Sequence, residues 1–109
     1  MTELKQTLDI QRLRASADKA ERLLKALANP DRLLLLCQLS QGELNVGELE
    51  QALGIRQPTL SQQLAVLRRE GLVETRRDGK LIYYRISDES ALVVISALYQ
   101  VFCLDKGGS

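Results

Sequence analysis

Two cysteines, Cys37 and Cys103, are the side chains of this chain with the most chemistry open to them. With 65 residues between them they form no CxxC motif, so the sequence offers no local redox or metal-binding pair. A separated pair can still close a bridge if the fold brings the thiols together; a direct disulfide needs Cα atoms about 4.4–6.8 Å apart, and added sulfur atoms would span a larger gap. The alternative is packing. Cys37 lies in RLLLLCQLS (32–40) and Cys103 in YQVFC (99–103), both apolar settings, and a buried free cysteine ordinarily behaves as an inert small hydrophobe. On the residues alone, both readings stand.

Other chemistry is scarce. The chain has no histidine, which removes the usual zinc ligand and the commonest general base. No glycine-rich nucleotide loop is present. No catalytic set, metal site or cofactor is therefore expected, and an enzyme is the least favoured class.

The elements that must position the cysteines follow from apolar periodicity. Leu13, Ala17, Ala20, Leu24 and Leu27 make one stripe on a helix over 10–28. Asn29–Pro30 stops it and starts a second helix, about 30–40, because Asn caps well and Pro is tolerated at the first helical position. That helix is apolar nearly all round and should be central and buried. After a break at Gln41–Glu43, Asn45 and Glu48 have capping-box spacing and open a third helix, about 46–53, ended by Gly54. A fourth runs from Gln57–Pro58 to about Glu70. In LVETRRDGKLIYYRIS (72–87), Asp78–Gly79 separates two alternating runs, a β-hairpin signal with a basic tip from Arg76 to Lys80. A last helix, about 88–104, is apolar on two faces: Leu92, Ile95, Tyr99 and Phe102 on one, Val94, Leu98 and Val101 on the other. A short chain buries little surface alone, so this helix is expected at a subunit interface, with a central core helix as the alternative.

The 109 residues fit a single domain with flexible ends, about 1–9 and 105–109. Composition is 45% apolar and 27% charged, that of a globular chain. No run of about 18 apolar residues and no signal peptide is visible, so a cytoplasmic protein is expected, where thiols are normally kept reduced. The net charge of +1 is unevenly spread: −1 over residues 1–55, +4 over 56–85 and −2 over 86–109. A polyanion should meet the middle segment, unless it is simply a solvated charged face.

Two helices joined by a tight glycine turn and followed by a basic hairpin form the pattern of a winged helix-turn-helix. The expected fold is mainly α, about five helices plus a two-stranded wing. On the fourth helix Leu60, Leu64 and Leu67 would pack inward, while Gln62, Thr59, Ala65 and Arg69, flanked by Ser61, face outward. Small hydrogen-bonding side chains suit base edges, and Gln57 and Thr59 stand where a recognition helix enters the groove. Arg56, Arg68, Arg77 and Lys80 would meet phosphates at the borders.

These segments, NPDRLLLLCQL and VGELEQALGIRQPTLSQQLAVLRREGLVETRRDGKLIYYRI, resemble the ArsR-type winged-helix repressors over roughly residues 20–103. The resemblance implies a homodimer, joined through its N-terminal and C-terminal helices, that binds operator DNA and releases it on a chemical signal. It implies DNA contacts by Gln57, Thr59, Ser61 and Gln62, with the wing around Arg77 and Lys80 near the minor groove. Metal-sensing members differ from this chain: the arsenic sensors carry Cys-x-Cys where it reads LNVGELE, and the zinc sensors use Asp and His on the last helix. Cys37 and Cys103 match instead the sulfide- and persulfide-responsive subgroup of the BigR and SqrR type. That match implies redox-sensing cysteines, bridged on modification by reactive sulfur species or another oxidant. Cys103 near a helix C-terminus would have a disfavoured thiolate, which points to Cys37 as the first nucleophile unless burial outweighs it. Two alternatives remain: an ArsR-type regulator whose cysteines only pack and which answers another signal, and a non-DNA interaction module.

Overall fold

The structure, a computed structural model, describes residues 9–103. The ends expected to be flexible, 1–9 and 105–109, lie outside the described residues apart from Asp9.

Eight elements follow in order: α1 (Ile10–Leu27), α2 (Pro30–Leu39), β1 (Leu44–Asn45), α3 (Val46–Leu53), α4 (Gln57–Arg69), β2 (Val73–Asp78), β3 (Leu81–Ile86) and α5 (Glu89–Phe102). Helix starts are set by local chemistry. Asp9, Asn29, Asn45 and Asp88 each accept a backbone N–H of the helix they precede, satisfying donors that have no intrahelical partner. Asn45 forms the full capping box, accepting from Glu48 N at 2.8 Å while its own N–H donates to Glu48 Oε1 at 3.0 Å.

The end of α4 shows how helix and wing are joined. Gly71 takes φ 76°, its N–H donates to Arg68 O (3.0 Å), and Leu72 N donates to Leu67 O (2.9 Å). This is a Schellman stop, and its apolar partners Leu67 and Leu72 are both buried. The chain therefore turns into β2 with no slack.

The expected two-stranded wing, β2 and β3, is present, and a third strand joins it. The sheet has three strands, ordered β1-β3-β2, all antiparallel. Leu44 and Asn45 pair with Tyr84 and Tyr83; a two-residue strand has no alternation to reveal it. The hairpin turn also sits one residue later than read: Asp78 pairs with Leu81, leaving Gly79 and Lys80 as the turn. Gly79 has φ 64°, the first central position of a two-residue hairpin where only glycine is comfortable.

A single core gathers Leu35, Leu36 and Leu39 of α2, Leu49 of α3, Leu60, Leu64 and Leu67 of α4, Leu72, Val73, and Ala91 and Ile95 of α5. The expectation that α2 is buried all round is corrected: Leu34 is 46% exposed, and Leu33 and Cys37 are half-buried. α1 enters the core only through its last turns, at Leu23, Ala26 and Leu27. Its remaining stripe is bare, with Leu13 and Leu24 exposed. The Cα radius of gyration of 16.4 Å, against about 13 Å for a compact hundred-residue domain, reflects this projecting helix. On α5, Ile95 is buried and Val94 and Leu98 are half-buried, but Leu92, Val93, Tyr99, Val101 and Phe102 are exposed, Phe102 to 76%.

Candidate functional site

On α4 the inward face is complete: Leu60, Leu64 and Leu67 are fully buried. The outward face presents Gln57, Ser61, Gln62, Ala65, Arg68 and Arg69, all exposed, with Thr59 half-buried beside them. Arg56 precedes the helix and is exposed. Unlike the other four helices, α4 has no side-chain cap, so its first N–H groups are open to an anionic oxygen.

The hairpin sorts its basic residues by strand face. Arg76 is engaged within the chain although exposed: its Nε donates to Glu43 Oε1 at 3.0 Å, and its guanidinium lies 4.8 Å from the centre of the Tyr83 ring. The pairing holds Glu43 below the usual carboxylate range and Arg76 above its ordinary value, the hydrogen bond being the main cause in both. Arg85 pairs with Glu74 across the β2–β3 ladder. Arg77 and Lys80, by contrast, are exposed and make no ion pair among the described residues. Of the positive residues read in the middle segment, Arg56, Arg68, Arg69, Arg77 and Lys80 thus remain turned outward. A shallow groove lined by Ser61, Ala65, Arg68, Arg69 and Tyr84 runs between α4 and the sheet. Tyr84 was not a sequence candidate; its alternation marked it only as a strand residue.

Charge at the far end of α4 is managed by α1. Arg22 Nε donates to Glu70 Oε1 at 2.9 Å, and that bond holds Glu70 below the usual carboxylate range. Glu70 is thereby shared with Arg69, whose Nε is 4.0 Å from its other oxygen. Neither Arg22 nor Glu70 stood out in the sequence, because the pair spans 48 positions.

The thiols lie on α2 and at the end of α5, two helices that pack together. Cys37 is in the last turn of α2, where its carbonyl accepts from Ser40 Oγ at 2.6 Å. Cys103 follows α5, its N–H donating to Tyr99 O at 2.8 Å. Both are free thiols, Cys37 half-buried and Cys103 exposed. Burial pushes the Cys37 thiol up, and the charge of Cys103 adds to the effect. Burial thus works against Cys37 as the first nucleophile, and the more accessible sulfur is Cys103. Among the described residues no group of three or more Cys, Asp, Glu or His could hold a metal ion. No described helix is long and apolar enough to cross a membrane.

Residues 29–75 match the model of the bacterial regulatory proteins of the arsR family. A biofilm growth-associated repressor of Agrobacterium fabrum is 60% identical over 81 residues, covering 74% of this chain and 69% of the relative. The chain belongs to the ArsR family. Among solved structures, the transcriptional repressor BigR from Xylella fastidiosa superposes with a TM-score of 0.81 at 50% identity, over 88% of this chain and 98% of BigR. A homodimeric winged helix-turn-helix DNA-binding domain from Mycobacterium bovis superposes with a TM-score of 0.71 at 40% identity, over 83% of each chain. The ArsR fold thus accounts for α3, α4 and the β2–β3 wing as a winged helix-turn-helix, and ArsR proteins are regulators rather than enzymes.

Proposed function

We propose that this ArsR-family chain is a transcriptional repressor, one winged helix-turn-helix domain per subunit, that binds operator DNA as a homodimer and lets go when a sulfur bridge joins Cys37 to Cys103. The observation that carries the thiol part is the packing of α2, which bears Cys37, on α5, which Cys103 follows, with both thiols free. The exposure of Cys103 weighs against a purely packing role for it.

In the DNA complex Gln57, Thr59, Ser61 and Gln62 read base edges, and Arg56, Arg68, Arg69, Arg77 and Lys80 meet phosphates. The uncapped N-terminus of α4 favours a phosphate there as well. The subunits join through the bare stripes of α1 and α5, which sets the two recognition helices about 34–36 Å apart.

The release chemistry balances as follows. Each thiolate attacks the outer sulfur of a low-molecular-weight persulfide, RSSH, taking that sulfur and expelling RSH. One protein persulfide then attacks the other, expelling hydrogen sulfide and leaving a three-sulfur bridge. Two thiols and two RSSH give one bridge, two RSH and one hydrogen sulfide; the sulfane sulfur lost as sulfide takes the two electrons. A ten-fold loss of operator affinity then needs only about 1.4 kcal/mol of coupling.

Replacing each cysteine by serine and measuring operator release by glutathione persulfide tests the proposal. Both variants should keep DNA binding and lose release, and the intact mass of the wild type should show sulfur gained with both thiols gone. Full release in either variant rejects the thiol mechanism.

A further inference from the structure

Cys37 lies on α2, whereas the outward row of side chains lies on α4. Apolar packing places Leu35, Leu36, Leu60 and Leu64 of these helices in one core, but such contacts have no preferred direction. Among the described residues, the side-chain hydrogen bond between α2 and α4 is made by Arg32. Its Nη1 donates to Gln63 Oε1 at 2.8 Å. Its Nε donates to the Ala26 carbonyl at 2.6 Å and its Nη2 to the Lys25 carbonyl at 3.3 Å. Those carbonyls lie in the last turn of α1, where a cation is favoured.

The orientation of this contact is fixed by chemistry. Arginine carries only donors, so Gln63 must turn its oxygen, and not its amide nitrogen, toward the guanidinium. The guanidinium is itself a rigid planar fork gripped at two other points. Gln63 in turn immediately follows Gln62, which faces outward. A displacement of α2 therefore reaches α4 through a directional bond.

We propose that Arg32, through Gln63, is the positioning residue that passes the state of the Cys37–Cys103 pair to recognition helix α4. The proposal rests on the thiol-release reading above. Arg32 and Cys37 are five positions apart on one ten-residue helix, about 7.5 Å along its axis. A helix that short moves as a rod. Drawing its Cys37 end toward α5 moves Arg32, and Arg32 moves Gln63.

The test uses the full chain, an operator duplex selected in vitro by the reduced protein, and glutathione persulfide, with intact mass recorded for every sample. Gln63→Ala removes the acceptor and leaves the grip of Arg32 on α1; Gln63→Glu keeps an acceptor. Wild type is expected to lose about ten-fold or more in operator affinity on bridging. Gln63→Ala should bridge equally well yet lose less than about three-fold, and Gln63→Glu should bind DNA more weakly while keeping the wild-type ratio of reduced to bridged affinity. A merely structural role would shift both affinities together and leave that ratio alone. Gln63→Ala with the full wild-type ratio overturns the proposal, as does a Gln63→Ala protein that cannot bridge, since the tie would then serve the chemistry rather than its transmission. A wild type that bridges without losing DNA overturns the thiol-release reading itself, and this inference with it.

Discussion

The segment from β1 to β3 and the pair of terminal helices solve opposite problems. Between Leu44 and Ile86 nearly every local demand is met within the chain. α3 has its capping box, α4 has its Schellman stop, the sheet is paired, and Arg76 and Arg85 have carboxylate partners. On α1 and α5 the reverse holds: Leu13, Leu24, Val93, Val101 and Phe102 are left in solvent. The first region is finished as a monomer; the second awaits a surface. The difference teaches that the residues that complete the fold and the apolar residues left bare are separate sets, so one can be disturbed without the other.

The strongest way to break that comparison is to charge the bare stripe. Leu13→Glu with Leu24→Glu should leave the fold intact but abolish dimerisation, and operator affinity should fall by about a hundred-fold or more because two linked half-site contacts become one. Sedimentation equilibrium and DNA titration check it; a double variant that stays dimeric would show that α1 is not the seam. A smaller effect belongs to the finished region. Asn45→Ala removes the α3 cap and should cost about 1 kcal/mol of stability, read from denaturant unfolding, with the dimer unaffected.

Smaller again is the wing. Arg77→Ala should weaken DNA binding across all sequences and lower the salt slope by about 1. An unchanged slope would place Arg77 off the phosphate backbone. The smallest effect is a pH dependence. Burial raises the folded-state pKa of Cys37 above its ordinary 9.0, so the folded chain holds this proton where the unfolded chain has released it. That contribution to stability is complete below pH 9.0 and fades as pH rises through the folded value; Cys37→Ser should flatten the alkaline loss. The rate at which Cys37 takes up sulfur should likewise keep climbing beyond the ordinary thiol range, whereas a plateau near neutrality would contradict the burial effect.

Much of this contrast was readable from residue order, because it rests on short-range rules. Asn45 and Glu48, Asn29–Pro30 and the leucines of α4 announce themselves by spacing. The bare faces were half legible: the stripe of α1 showed in the sequence, but not that only Leu23, Ala26 and Leu27 would find a partner within the chain. β1 was hidden because two residues carry no period. Arg32–Gln63, Arg22–Glu70 and Arg76–Glu43 were hidden for a different reason. They join positions 31, 48 and 33 apart, and a polar pair of that kind has no sequence signature until the fold sets its ends side by side. The partial burial of Cys37 belongs to the same class.

The projection of α1 has a mechanical consequence. Its eighteen residues make a rod about 27 Å long, gripped near one end where Arg32 holds the carbonyls of Lys25 and Ala26. A tilt of about 5° at that pivot carries the free end through about 2 Å. The helix thus acts as a lever: a change at its root too small to disturb the core would arrive at its tip as a change of register.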